Sequence, residues 1–281
     1  MLFPENIGSK LSIDEVSLSK GELYTFVTNK KGCSKKGTLV ACIKGTRSGD
    51  ILNVLEKLPL SLRKQVDEVT LDMARNIELA TKLAFPESTL VTDRFHVVKL
   101  VAESLQHDRI QLRWKELDKE NKAILEAKKQ GLKYKPIQLS NGDTPKQLLA
   151  RSRYIIAKKP HQWTDNQKQR AKLLFEKYPE LENAYKHTLE FRNIYELTDK
   201  IMAKERFEKW VNDTFNNQLK SFYTSANTLK ANFSNILNFF NNRNTNANAE
   251  SFNSKIKLFR ANLRGVTDTS FFLFRLHKLF A

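Results

Sequence analysis

Cysteine is almost missing from this chain: Cys33 and Cys42 are the only two in 281 residues. They stand close together in what reads as a hairpin, so they can build neither a disulfide framework nor a four-thiol zinc site. Reduced thiols in a cytoplasm are the expectation. No apolar run approaches the roughly 20 residues of a membrane-spanning helix, and Met1 to Lys10 lacks the charged-then-apolar layout of a signal peptide. A soluble, intracellular protein is therefore expected. No segment repeats at a fixed period. Acidic residues are the other shortage, 31 Asp+Glu against 48 Lys+Arg, for a formal charge of +17. An excess of that size favours a polyanionic partner, because each phosphate neutralised releases condensed counterions. DNA or RNA is the natural candidate, although charge alone leaves a basic ribosome-associated or membrane-surface protein equally open.

The length allows one large domain, or a core domain with an insertion. From Leu11 to about Thr92 the pattern is that of an α/β unit. LSIDEVS and ELYTFVTN are short and rich in β-branched and aromatic residues, NKKGCSKKG carries the residues of a turn, and TLVACIKG reads as a third strand. Ser48 is expected to cap a helix that holds Ile51, Leu52, Val54, Leu55 and Leu58 at helical spacing and ends near Pro59. DEVTLD is a fourth strand ending at Asp72, MARNIELATKLAF a helix that stops before Pro86, and STLVTD a fifth strand ending at Asp93. Three strands, helix, strand, helix, strand is the order of a ribonuclease-H-like mixed sheet, though other mixed α/β folds share it.

From Arg94 to about Phe240 helical spacing with dense Lys, Glu, Gln and Leu takes over, broken by the polar stretch Lys133 to Thr144. The segment from Trp163 to Lys200 reads as two helices, the first capped by Thr164 or Asp165 and the second starting near Pro179. Further helices are expected over Lys204 to Tyr223 and Ala226 to Phe240. Trp163, Phe191, Tyr195 and Trp210 fall at helical spacing among apolar residues and read as core rather than base-stacking platforms. The domain reading is therefore a first part of a ribonuclease-H-like domain over 1–95, an all-helical insertion over 96–240, and C-terminal helices over 241–281 that complete the first domain. In that last part NNRNTNANAE is a loop, with Asn246 or Asn248 placed to cap a helix that runs toward Gly265. On this helix Glu250, Asn253 and Lys257 share one face, and Phe252, Ile256 and Phe259 form the apolar stripe opposite. A last amphipathic helix covers Thr269 to Ala281.

Asp14 within the first strand, Asp72 at the end of the fourth and Glu250 at the start of a late helix can converge at one sheet edge. Close carboxylates repel, and two magnesium or manganese ions remove that cost while creating a centre for phosphoryl transfer. Read singly, the two aspartates are strand-end turn residues and Glu250 is a first-turn carboxylate favoured by the helix dipole. His96 taken alone reads as a hydrogen-bonded core residue, and His107, His161, His187 and His277 carry no functional context. The basic turn of Lys30, Lys31, Lys35 and Lys36 is either a phosphate contact or a solvated hairpin tip. Arg94, Lys99, Lys255, Lys257, Arg260 and Arg264 lie near the proposed site along the chain, which gives them a stronger claim on nucleic acid.

LSIDEVSLSKGELYTFVTN, TLDMARNIELATKLAFPESTLVTDRFHVVKLV, ELENAYKHTLEFRNIYEL and TNANAESFNSKIKLFRANLRG resemble, in order, successive landmarks of DDE insertion-sequence transposases of the ISL3 group. DRFHVVKL and N-x-x-x-E-x-x-N-x-x-I-K are the most distinctive of these. The resemblance implies a ribonuclease-H-like catalytic domain with an all-helical insertion between the second aspartate and the glutamate. It assigns metal binding and catalysis to Asp14, Asp72 and Glu250, with two Mg²⁺ or Mn²⁺ ions. Asp93 and His96 match a D-x-x-H signature of this and related groups. Asp93 competes with Asp72 as second metal ligand; Asp72 is favoured because it ends the strand expected beside the first. Asp93, Arg94, His96, Asn253 and Lys257 are then expected to orient the site or contact DNA.

The resemblance further implies transposon ends and target DNA as partners, a homo-oligomer on DNA, and a bacterial cytoplasmic, nucleoid-associated location. Members usually carry zinc-binding and helix-turn-helix segments ahead of the catalytic domain, whereas here the first strand begins at Leu11. End recognition is accordingly expected from a separately encoded protein, or the chain is a truncated copy. The rival readings are a catalytically inactive DNA-binding remnant and a ribonuclease-H-like nuclease without strand joining.

Overall fold

The computed structural model describes residues 1–18, 21–243, 247–263 and 268–281, with side chains omitted at 247 and 248. The described residues hold one five-stranded sheet built from β1 (Lys10–Ser17), β2 (Leu23–Asn29), β3 (Leu39–Lys44), β4 (Glu68–Leu71) and β5 (Thr89–Thr92), in the order β3-β2-β1-β4-β5. The first three strands pair antiparallel, while β4 and β5 run parallel to β1. The chain divides into two compact units, Met1–Val97 with Asn232–Ala281, and Val98–Ala231. No described helix is long and apolar enough to cross a membrane.

In the sheet unit, strand alternation sends apolar residues to both faces, and helices cover both. Leu11, Ile13, Val69 and Leu71 join one core with Ile51 and Leu55 of α1 (Ser48–Leu55) and Ile77, Ala80 and Ala84 further on. A short α2 (Leu60–Arg63) follows α1, and α3 (Arg75–Ala84) carries those last three residues. On the other face Val16, Tyr24 and Phe26 meet Phe252 and Ile256 of α13 and Phe272, Leu276 and Phe280 of α14. These two helices span Ala247–Asn262 and Thr269–Phe280, and Phe259 packs at the edge of the same cluster. The expected apolar stripe of α13 is thus the face laid on the sheet. Asp268 caps α14 by accepting from the Ser270 and Phe271 amides.

The helical unit opens with α4 (Arg94–Lys129), whose first turn still belongs to the sheet unit. No helix covers 132–144, and the chain resumes in α5 (Pro145–Arg151), α6 (Arg153–Ile156), α7 (Asp165–Lys177), α8 (Pro179–Ile194), α9 (Lys200–Asn216) and α10 (Tyr223–Ala231). Thr164 caps α7 by accepting from the Gln167 amide, and Pro179 opens α8, as the sequence implies. Phe191, Tyr195, Phe207, Trp210 and Phe222 are buried in a ring cluster between α8 and α9. Trp163 stacks on Tyr185 and donates its indole N–H to the Ile155 carbonyl, so these aromatics are core.

Several local expectations are corrected. Ser48 is the first residue of α1 and Arg47 the cap, without a capping side-chain bond; α1 stops at Leu55, and Leu58 is buried just beyond it. The helix expected over Lys204 to Tyr223 starts earlier and breaks after Asn216, where Gln218 adopts a left-handed φ of 52°. The one expected over Ala226 to Phe240 is three pieces, α10, α11 (Phe233–Leu237) and α12 (Phe239–Asn242), which divide at Asn232 and Asn238. Asparagine amides satisfy polar groups elsewhere: Asn238 donates to the Leu90 carbonyl, so tertiary hydrogen bonds outweigh helix continuity there. Asn248 lies inside α13, its second residue, while Asn246 and Gly265 fall outside the described residues.

His187 is buried, stacks on the Trp210 indole with ring centroids 4.4 Å apart, and shares a hydrogen bond with Thr214 at 2.7 Å. Burial lowers its pKa to about 4. The unfolded chain takes up this proton near the ordinary value of about 6.5. Stability from the neutral ring is therefore complete above that pH and is lost as pH falls toward 4. All three tryptophans lie in this unit, so their fluorescence follows its unfolding. Between pH 7 and pH 5 the unmodified chain should lose on the order of 2 kcal/mol more stability than His187→Phe, which keeps the ring stack without the titration. Equal losses in the two proteins would show that His187 does not carry this dependence.

Candidate active site in an acidic row across the parallel strands

Register and pleat decide where the acidic residues stand. β1 pairs with β4 up to Ser12 opposite Thr70, and β4 pairs with β5 up to Leu71 opposite Thr92. Continuing both registers past the last pairs sets Asp14, in the middle of β1, in one row with Asp72 and Asp93, which directly follow the carboxyl ends of β4 and β5. Alternation puts this row on the sheet face opposite Leu11, Ile13, Val69, Leu71 and Leu90, the face that α13 covers.

Each side chain is held by local bonds. Asp14 Oδ1 accepts from the Glu15 amide at 2.8 Å, and its Oδ2 accepts from Asn253 Nδ2 at 2.5 Å. Asn253 lies one helical turn after Glu250, so the face shared by these two residues is turned to the strand ends. Asp72 Oδ1 accepts from the Ala74 amide at 2.9 Å in the turn leading into α3. Asp93 Oδ1 accepts from the Phe95 amide at 3.3 Å at the start of α4. The other Asp93 oxygen is buried without a hydrogen-bond donor and stands 3.7 Å from His96 Nε2. His96 is partly exposed with its ring edge-on to Phe95, which corrects the core reading of this histidine.

The electrostatics tie the row together. Burial raises the pKa of Asp14 first of all, and the Asp72 charge adds to it, against the opposing effects of the Glu15 amide, His96 and Asn253. Asp93 is pushed up to about 6, mainly by burial, with the charges of Glu250 and Asp14 contributing. Glu15, which the sequence reading passed over, is raised by burial and by the charges of Asp72 and Asp14. The adjacent acids of I-D-E were the available signal for it. The Asp72 charge thus reaches Asp14, and the Asp14 and Glu250 charges reach Asp93, although β1, β4, β5 and α13 are far apart in the chain.

Among the described residues no three His, Cys, Asp or Glu side chains close to the spacing of a formed metal site. The donor chemistry nonetheless fits a hard divalent cation. The row offers carboxylate oxygens only, and one of them, on Asp93, is buried with no hydrogen bond.

Several basic residues turn out to be occupied. Lys30 points inward, ion-pairs with Glu68 at 3.0 Å and hydrogen-bonds Thr70, so it is not part of an exposed basic tip. Lys31, Lys35 and Lys36 are exposed. Arg260 is largely buried, pairs with Glu22 at 3.2 Å and lies over the Phe272 ring, which removes its claim on nucleic acid. Lys255 donates to the Ser34 carbonyl, and Lys99 pairs with Glu103 at 3.8 Å. Lys257 is exposed and Arg94 half-buried, while Arg264 lies outside the described residues.

Asp93 gives a direct check. Its folded pKa near 6 exceeds the unfolded value of about 3.9, so its ionisation costs the fold stability as pH rises through that window. Without divalent cations, Asp93→Asn, which can keep the bond from Phe95, should be more stable than the original by about 2 kcal/mol at pH 8. The two should converge below pH 4. Denaturant melts at the two pH values decide it, and an Asn variant less stable at pH 8 would mean that the charge is compensated.

A transposase family profile of the DDE type, ISL3 group, matches residues 11–276. Comparison with curated proteins and with solved structures gave no match. The family match runs from the first strand to the last helix, across every element that bears the acidic row. The chain belongs to the ISL3 family of DDE transposases.

Proposed function

We propose that this chain is the catalytic part of a DNA transposase that cuts at the ends of a mobile element and joins the freed 3′-hydroxyl to target DNA. In this reading Asp14, Asp72 and Glu250 hold two magnesium or manganese ions. The observation that carries it is the row of carboxylates that the strand register aligns across β1, β4 and β5, with the Glu250 charge from α13 acting on Asp93, in a chain of transposase family. The sheet, three antiparallel strands continued by two parallel ones, supports a ribonuclease-H-like assignment. The compact unit Val98–Ala231 is then the helical insertion between the second aspartate and the glutamate.

When bound, such ions activate water or a 3′-hydroxyl and stabilise the leaving oxygen. The chain's own residues keep the oxygens aimed. The Glu15 amide and the Asn253 side chain each hold one oxygen of Asp14, and the Ala74 amide holds one of Asp72. Asp93 and His96 act as an orienting pair beside them, with Asp93 the alternative second ligand. Arg94 and Lys257 are assigned to DNA phosphates. The family implies DNA as the partner. We further assign recognition of element ends to a separately encoded protein, and the working form to a homo-oligomer on the nucleoid of a bacterial cytoplasm.

Glu250→Gln keeps size and hydrogen bonding but removes a charge that a metal needs. DNA binding should persist while cleavage and joining of pre-cleaved ends fall at least about a hundredfold. The assay compares both proteins with Mg²⁺ and the end-recognition protein present. Equal rates would remove Glu250 from the site; an unmodified protein that binds DNA yet never cuts or joins it would replace the enzyme with a DNA-binding remnant.

The net charge of +17 makes binding mainly electrostatic. For about six phosphate contacts, log K should fall with log salt at a slope near −5. Titrations of random-sequence duplex at several salt concentrations measure it, and a flat dependence would contradict an electrostatic interface.

A further inference from the structure

The long helix α4 has two apolar faces, and only one is used by its own unit. Val101, Leu105 and Leu112 are buried on the inner face. Beyond Leu112 the segment that follows α4 folds back along Glu116, Lys119, Glu120 and Ala123, where Lys146 pairs with Glu120 at 2.5 Å. On the opposite side Ile110, Trp114, Leu117, Asn121 and Ile124 recur at alternating steps of four and three. That is a heptad seam, with Ile110, Leu117 and Ile124 at the d positions and Trp114 and Asn121 at the a positions. Ile110, Trp114 and Ile124 are 40%, 61% and 41% exposed. A scattered exposed apolar residue is ordinary, but a row of them at heptad spacing, opposite the buried face, is what a partner helix reads.

We propose that this face of α4 docks a second copy of the same chain as a short parallel coiled coil. Three features select a second copy. The spacing is self-complementary, each a and d residue meeting its own counterpart. Asn121 at an a position finds a hydrogen-bonding partner in the other copy's Asn121, which fixes register and a two-stranded state at some cost in stability. Arg113 at the g position faces Asp118 at the e position of the other copy, and the symmetry makes this attraction twice. Two heptads of seam make a modest interface, so the dimer should be concentration-dependent rather than obligate. The inference does not rest on the transposase chemistry, and its test involves no DNA cleavage.

Sedimentation of the full chain without DNA, across a concentration series, should show a monomer–dimer equilibrium. Trp114→Glu, at an exposed position that the fold does not need, should raise the dissociation constant at least about tenfold. Arg113→Glu and Asp118→Arg should each weaken the dimer by setting like charges opposite one another, and the double variant should restore it. Circular dichroism would verify that all variants keep their helices. A chain that stays monomeric, or a dimer indifferent to Trp114→Glu, overturns the proposal. A double variant no tighter than the singles overturns the parallel pairing. If Trp114→Glu weakens DNA binding and leaves self-association unchanged, the seam belongs to DNA and not to a second copy.

Discussion

Repulsion among carboxylates gathered by a strand register is the constraint around which the sheet unit is arranged. Parallel pairing of β1, β4 and β5 aligns Asp14, Asp72 and Asp93, and the pleat turns them to one face. Burial above all, with the neighbouring charges adding to it, raises the pKa values of Asp14, Glu15 and Asp93, and one buried Asp93 oxygen has no donor. A purely structural sheet edge gains nothing from such a row, because a buried unpaired carboxylate opposes folding. The surrounding apolar packing offsets it: both sheet faces are sealed, by α1 and α3 on one side and by α13 and α14 on the other.

The helix α13 links that packing to chemistry. Phe252 and Ile256 bury one stripe against Phe26 and its neighbours, and this seating fixes the rotation of the helix. With the rotation fixed, Asn253 reaches Asp14 and the Glu250 charge is felt at Asp93. Packing thus sets the position of polar groups more than 230 residues away along the chain.

The helical unit rests on a different interaction, an aromatic cluster of Phe191, Tyr195, Phe207, Trp210 and Phe222 with His187 kept neutral inside it. Within it Trp210 donates to the His187 carbonyl, and His187 shares a hydrogen bond with Thr214. The outer face of α4 adds nothing to this core, which leaves its heptad spacing available for association.

Local patterns in the sequence were enough to determine the five strands, the start of α8 at Pro179 and the apolar stripe of α13, and to narrow the cap of α7 to Thr164 or Asp165, because periodicity and capping chemistry act over a few residues. The ordered motifs from LSIDEVS to TNANAESFNSKIKLFR likewise identified the family from sequence alone. Tertiary structure decided which charges face what. Lys30 and Arg260 look like surface cations in the chain, yet each turns inward to a carboxylate supplied by a distant segment, Glu68 and Glu22. The same holds for the breaks at Asn232 and Asn238, for Glu15 beside the acidic row and for the buried Asp93 within it. Burial of a charge depends on partners that the local sequence does not contain, so its fate is settled only when the strands pair and the helices close over them.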